Sequence, residues 1–285
     1  MSDFNASFDN LRFMLIGDVV GSPGRAMIEK TVAQLRSELS LDLIVVNAEN
    51  AAGGSGINGV IFNDLIRHGV DGVTLGDHAY RCRDIFPTFE KDHRIIRPGN
   101  YPIDAPGKCA MLLETARGHK VGVFSLLGRV FMQPVDCPFA AADRILATFP
   151  DDTDAILLDF HAEATSDKQL MGRYLDGRVA AVLGTHTHVA TADETILPGG
   201  TAFQCDVGMT GPFESILGRR IDRVMETVRT FRPTKYDVAD HDLRLNGTVV
   251  EYDMQTKRTV KINRVLARLD ESNAVSLSVF DVHTD

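Results

Sequence analysis

Short runs of β-branched and apolar residues recur along the chain, at Arg12 to Ile16, Leu43 to Val46, Gly72 to Leu75, Val121 to Leu126, Ala155 to Leu158 and Val179 to Leu183, and several are followed by helical patterns. Such runs predict strands, and their alternation with helices predicts an α/β protein on one open, parallel sheet. After the first run, Ser22 can cap a helix with Pro23 at its first position. Ile28, Val32, Leu35 and Leu39 then recur at three- and four-residue spacing, which predicts a helix with one buried face over 23–39. Past Gly199-Gly200 the style changes: Thr201 to Cys205, Thr248 to Asp253 and Arg258 to Val265 read as strands, the last two as an antiparallel hairpin, so the C-terminal part reads as α+β. No repeat or low-complexity linker interrupts the chain, and Arg97 to Gly107 reads as a surface loop. One domain over 1–285 is expected, with 1–11 as a flexible N-terminal extension.

Polar residues collect at the C-terminal ends of these strands: Gly17-Asp18, Asn47-Ala48-Glu49-Asn50, Gly76-Asp77-His78, Asp159-Phe160-His161 and Gly184-Thr185-His186-Thr187-His188. In a parallel sheet these ends share one edge, where such sheets place their ligands. Imidazole suits zinc and iron, carboxylate oxygen suits magnesium and manganese, and the absence of thiolate argues against soft-metal clusters. A carboxylate between two cations can bridge them, and His186 and His188 can reach two neighbouring metals or chelate one. Two metals roughly 3.5 to 4 Å apart turn a bridging water into hydroxide near neutral pH and clamp a phosphate ester. Singly, each residue has a plainer reading, Asp18 as a turn cap and His161 as a satisfied core histidine. Together, five strand ends carrying metal-ligand residue types point to a metal site. Asp159 and Glu163, which flank His161, fit either orientation of ligand imidazoles or structural and solvent-facing roles, and are not assigned to the site. His68, His93, His119, His241 and His283 sit in polar helix or loop contexts and receive no role.

Composition narrows the function classes. Of 285 residues, 44% are apolar and 24% charged, which fits an ordinary folded protein. A formal charge of −9 argues against non-specific binding to nucleic acid or an anionic membrane. No stretch approaches the roughly 18 apolar residues of a membrane span, and the run from Phe13 to Ile16 is too short for a signal-peptide core. Cys82, Cys109, Cys137 and Cys205 contain no CxxC and read as free thiols of a cytoplasmic protein. The general prevalence of symmetric assemblies makes a homo-oligomer the expected state.

At its strand ends the chain resembles the calcineurin-like metallophosphoesterases and, within them, the bacterial YmdB-type cyclic-nucleotide phosphodiesterases. The resemblance rests on Ile16 to Gly21 (IGDVVG), Asn47 to Ala51 (NAENA), Gly128 to Phe131 (GRVF), Asp136 to Phe139 (DCPF), Asp159 to Thr165 (DFHAEAT), Gly184 to His188 (GTHTH) and Asp206 to Gly211 (DVGMTG). It implies a four-layer α/β/β/α sandwich in place of the single open sheet. It implies two divalent metals, iron or manganese foremost, with magnesium or zinc as the alternatives. Asp18, Glu49, Asn50 and His188 would hold the first, and Glu49 would bridge to a second held by Asp77, His161 and His186. His78 would be the catalytic proton donor, and the substrate a small phosphodiester such as a cyclic nucleotide. The chain departs from the family in carrying Asp77 where Asn is usual, which adds negative charge at the second metal. It also has Val20 where the wider superfamily's Asp-x-His has histidine, with Asn50 in replacement.

Two other functions compete. The same site could sense a nucleotide without turning it over, as a metal-dependent regulatory protein. Alternatively, Gly54-Ser-Gly-Ile-Asn-Gly59 fits the G-x-G-x-x-G of dinucleotide-binding oxidoreductases, with Asp77 about 20 residues on. Asn47 to Gly53 separate these glycines from their strand, however, and that reading leaves the histidines unexplained. Gly17 to Gly24 lacks the Gly-Lys-Ser/Thr of a P-loop.

Overall fold

A computed structural model of the chain describes residues 10–269 and 274–281. In chain order the elements are β1 (Asn10–Ile16), α1 (Gly21–Glu38), β2 (Leu43–Asn47), α2 (Gly59–Arg67), β3 (Gly72–Thr74), α3 (Phe86–Lys91), β4 (Ile95–Ile96), β5 (Ala110–Glu114), β6 (Lys120–Leu127) and α4 (Pro138–Leu146). There follow β7 (Ala155–His161), α5 (Thr165–Tyr174), β8 (Ala181–Thr185), β9 (Thr195–Ile196), β10 (Ala202–Gln204), β11 (Gly211–Pro212), α6 (Ile221–Thr230), β12 (Leu243–Asp253), β13 (Arg258–Leu269) and β14 (Val275–Asp281). The strands form two sheets, ordered β14-β13-β12-β1-β2-β3-β4, with β11 beside β12, and β5-β6-β7-β8-β10-β9.

The single open sheet is therefore corrected to two stacked sheets, and strand alternation shows how they stack. Met14, Ile16, Ile44 and Val46 share a core with Ile28, Val32 and Leu35 of α1 and Phe62 of α2. The residues between them, Phe13, Leu15, Leu43 and Val45, face Val121, Val123, Leu157 and Leu183 of the second sheet. On that sheet's far side, Phe124, Leu126, Leu158, Phe160 and Val182 pack with Ala141 and Ile145 of α4 and Met171 of α5. The order is helices, sheet, sheet, helices. A strand buried on both faces reads as one apolar run whether a helix or a second sheet lies opposite, so strand alternation could not reveal the second sheet.

The C-terminal strands also join this frame. β12 and β13 form the expected antiparallel hairpin, but β12 runs antiparallel to β1, with Ile16 opposite Gly247, and so extends the first sheet. α1 begins earlier than 23, and Ser22 is not its cap: Val20 holds the N-cap position without a side-chain bond. Gly21 takes φ +61°, and its amide donates to Asn50 O at 2.9 Å, tying the helix start to the loop after β2. Within the loop from Arg97 to Gly107, Arg97, Asn100 and Tyr101 are buried, so it is not wholly a surface segment. Asn100 Nδ2 donates to Leu127 O at 2.8 Å. Residues 1–9 of the expected extension and His283 lie outside the described residues, whereas Asn10 and Leu11 belong to β1. All four cysteines are free thiols. No helix among the described residues is long and apolar enough to cross a membrane.

Candidate metal centre

Stacking two sheets with their parallel strands' C-terminal ends on one edge brings five loops together. Asp18 follows β1, Glu49 and Asn50 follow β2, Asp77 and His78 follow β3, His161 ends β7, and His186 and His188 follow β8. Glu49, Asp77, His161 and His186 offer ligand atoms that all lie within 4.8 Å of one another. His161 Nε2 is 3.2 Å from Asp77 Oδ1, 3.4 Å from Glu49 Oε2 and 3.0 Å from His186 Nδ1. Beside this group, His188 Nε2 lies 3.9 Å from Asp18 Oδ1 and 3.3 Å from Asn50 Nδ2, and Asn50 Nδ2 donates to Glu49 Oε1 at 3.1 Å. The structure thus gathers all seven expected ligands around Glu49. His78 joins them through Nδ1, 2.8 Å from Asn50 Oδ1. His68, His93, His119 and His241 belong to neither group.

The charges are concentrated and dry. Burial pushes Asp18 up to about 6, although His188 and His161 pull it down. Burial also opposes the charge on Glu49, but His161 and His78 hold its carboxyl well below the usual range. Burial disfavours the His161 imidazolium as well, yet Glu49, Asp77 and Asp18 around it raise that pKa well above free imidazole. His186, buried beside charged His161, falls to about 4.

Divalent cations fit this set. Asp18 Oδ1 is buried with no hydrogen-bond partner among the described residues, an acceptor in need of a positive group. A Cβ at Gly76 would lie 2.3 Å from His161 Nε2 and 2.4 Å from Glu49 Oε2, so glycine keeps the space between these donors clear. Carboxylates and imidazoles without thiolate suit manganese, iron or zinc. The group opens into a cavity of about 430 Å³, with His78 and His186 on its polar side and Leu217 and Tyr236 on its apolar side.

The model of a family described as YmdB-like protein matches residues 14–265. The chain belongs to this family. It is 43% identical over 260 residues to the 2′,3′-cyclic-nucleotide 2′-phosphodiesterase of Bacillus subtilis (strain 168), covering 91% of this chain and 98% of that protein. A crystal structure of a novel phosphatase from Mycoplasma pneumoniae superimposes with a TM-score of 0.83 at 30% identity, over 96% of this chain and 95% of that one. A crystal structure of a protein from Thermus thermophilus gives the same TM-score of 0.83 at 37% identity, over 95% and 99% of the two chains.

In this YmdB-like chain the glycine segment does not form the strand–turn–helix of a dinucleotide site. Residues 48–58 separate β2 from α2, and Asn58 Oδ1 caps α2 by accepting from Ile61 N at 2.9 Å. Gly54 instead stands on the rim of the cavity, its carbonyl held by Arg219.

Several residues that sequence reasoning left out orient the histidines. Thr185 has one hydroxyl proton, and its Oγ1 lies 2.6 Å from Asp159 Oδ1. Asp159 Oδ2 already accepts from Asn47 Nδ2 at 2.9 Å and Thr74 Oγ1 at 2.5 Å. With its proton given to Asp159, Thr185 accepts from His161 Nδ1 at 2.9 Å, which turns Nε2 toward Glu49 and Asp77. His186 is held the other way round: Nε2 lies 3.2 Å from Glu163 Oε2 and Nδ1 faces the group. His188 Nδ1 donates to Leu217 O at 3.1 Å, leaving Nε2 for Asp18 and Asn50. His186 and His188 take φ of +99° and +66°, uncommon for non-glycine residues. Their turn is pinned by His186 N to Asp18 Oδ2 and Thr187 N to Asp206 Oδ2, each 3.0 Å. One signal was available for Asp159: it precedes His161 by two and so shares its buried face of β7, where a carboxylate needs partners.

This arrangement makes Thr185 testable. Thr185→Val removes the acceptor for His161 Nδ1 and is expected to weaken Mn²⁺ binding about 10- to 100-fold, while Thr185→Ser retains it. Calorimetric titration of stripped protein with Mn²⁺ measures both, and equal affinities in the two variants would remove Thr185 from this role.

Proposed function

We propose that the chain is a phosphodiesterase that uses two divalent cations and acts on 2′,3′-cyclic nucleotides or related small cyclic phosphodiesters. The observation carrying this reading is the group of four buried or half-buried ligand residues, with Asp18, Asn50 and His188 alongside and His78 at the cavity wall. Asp18, Glu49, Asn50 and His188 would hold one cation, and Glu49, Asp77, His161 and His186 the other. Bound there, such ions neutralise phosphate oxygens and lower the pKa of a coordinated water. Mn²⁺ or Fe is the expected occupant, and Asp77 adds a carboxylate that favours harder ions.

The chain's own residues supply position and the proton. Asn50 Oδ1 fixes His78 Nδ1, so that Nε2 is left for the cavity. Burial lowers the pKa of His78, but the carboxylates of Glu49 and Asp77 outweigh it and raise it. A proton carried at Nε2 would serve the leaving oxygen. Leu217 and Tyr236 give the base of a nucleotide an apolar wall. The Bacillus subtilis relative is named for cleavage of the 2′ ester, and on that reading a His78 proton delivered to the 2′ oxygen completes the product.

The test is hydrolysis of a generic aryl phosphodiester and of 2′,3′- and 3′,5′-cyclic nucleotides by metal-stripped protein, with and without Mn²⁺. Turnover dependent on Mn²⁺ and favouring the 2′,3′ ring is expected, and two bound metals without turnover would favour a sensor. His78→Ala is expected to lower kcat by about 10² to 10⁴-fold with both metals retained. An unchanged kcat would assign the proton transfer elsewhere.

A further inference from the structure

Among the described residues that line the cavity of the metal centre, Arg219 is the only lysine or arginine, and the proposed reaction leaves it without a role. Backbone carbonyls alone hold its guanidinium: Nη1 donates to Gly53 O at 3.0 Å and to Tyr236 O at 2.9 Å, and Nη2 donates to Gly54 O. Gly54 takes φ +88°, and a Cβ there would overlap the guanidinium, so the glycine segment after β2 is built around this arginine. Of the five N–H donors, Nε–H and one proton of Nη2 have no partner among the described residues. Nε and Nη2 share the edge with which arginine meets planar groups carrying two adjacent acceptors. A tight turn ties Arg219 to the centre. Ile216 and Arg219 exchange backbone bonds of 2.8 and 2.9 Å, with Leu217 and Gly218 between them at φ +50° and +89°. Leu217 O, at the tip of that turn, accepts from His188 Nδ1. Leu217 and Tyr236, 51% and 40% exposed, flank the guanidinium with apolar surface.

We infer that Arg219 reads the base of the substrate and selects guanine, donating to its O6 and N7 while the rings lie against Leu217 and Tyr236. A guanidinium has donors and no acceptor, so it fits a base edge that presents two acceptors side by side. Guanine presents O6 and N7 in this way, whereas adenine sets an amino donor beside N7. Uracil interrupts its two carbonyls with N3–H. Cytosine offers O2 and N3, but its single ring covers less of the apolar wall than a purine does. A second phosphate is the other group such an edge fits, and the apolar residues on either side of Arg219 favour the base. The inference rests on the phosphodiesterase reading for the place of the substrate's phosphate, at the cations.

The experiment compares kcat/KM of the Mn²⁺-loaded protein on the 2′,3′-cyclic phosphates of guanosine, adenosine, inosine and 7-deazaguanosine. Guanosine is expected to exceed adenosine by about 10- to 100-fold. Inosine, which keeps O6 and N7, should match guanosine, and 7-deazaguanosine, which lacks N7, should fall toward adenosine. Arg219→Met is expected to bring the guanosine-to-adenosine ratio near one. Calorimetric titration of the Mn²⁺-loaded protein with guanosine and adenosine 3′-monophosphates should show the same preference without turnover. Guanine-selective binding with no hydrolysis would support the role of Arg219 and sink the phosphodiesterase reading. Hydrolysis of guanosine and adenosine substrates at equal kcat/KM would overturn the inference and leave that reading standing. So would an Arg219→Met variant that slows both substrates alike and keeps their ratio, the result of a merely structural arginine. A preference that follows an added 5′-phosphate whatever the base would overturn it too, and assign Arg219 to a second phosphate.

Discussion

Glu49→Gln is expected to empty the metal centre while leaving the fold intact. Glu49 contacts both halves of the site: Oε2 faces His161 and accepts from His78 N at 3.0 Å, and Oε1 faces Asn50 Nδ2 and His78 Nδ1 at 3.1 Å each. Glutamine has nearly the same shape and can still accept from His78 N, but it lacks the charge on which a shared cation ligand depends. It also takes away a carboxylate that balances His161 and His78, so the melting temperature of the stripped protein is expected to fall modestly, with Asp77 and Asp18 still beside His161. Loss of several kcal/mol of transition-state stabilisation corresponds, at 1.36 kcal/mol per tenfold, to a fall in aryl phosphodiester turnover of about 10³-fold. Metal content by mass spectrometry should fall with it. Wild-type metal content and turnover in Glu49→Gln would remove Glu49 from the centre. The contrast with His78→Ala is informative, because that variant is expected to lose rate and keep metal.

The strand ends were legible because a turn residue followed by Asp, Glu, Asn or His after an apolar run is a local pattern, and sheet geometry alone brings such ends together. Six of the strand runs and the C-terminal hairpin were local in the same sense. What escaped depends on contacts between distant parts of the chain. The second sheet is invisible from β1 or β2 alone, since Leu15 and Ile16 are equally apolar although one faces a sheet and the other a helix. The start of α1 is set by the bond from Gly21 to Asn50, not by Ser22. Thr185, Asp159 and Glu163 become orienting groups only once β7 and β8 lie side by side, with His161 opposite Thr185. Asp206 belonged to a recognisable motif, yet its role needs Lys168 from α5 and the turn carrying the histidines.

That last contact yields the largest expected effect on stability. Lys168 and Asp206 are 2% and 1% exposed, and Nζ donates to Oδ2 at 2.7 Å. Asp206 Oδ2 also accepts from Thr187 N, and Oδ1 accepts from Gly208 N at 2.8 Å. Asp206 is therefore a buried carboxylate that shapes the turn between His186 and His188, and Lys168 is the cation that makes its burial tolerable. Lys168→Met keeps the volume but leaves the charge uncompensated, which typically destabilises by about 3–5 kcal/mol. At about 2–4 °C per kcal/mol for chains of roughly this size, the melting temperature should drop by roughly 10 °C. Adding Asp206→Asn removes the stranded charge, and because buried ion pairs exchange for neutral groups at little net cost, the double variant is expected to regain most of that stability. Its cation affinity should stay below wild type even so, since an amide holds Thr187 N less firmly than a carboxylate. A Lys168→Met melting temperature within 2 °C of wild type, or a double variant no more stable than the single one, would show that the pair does not act as a unit.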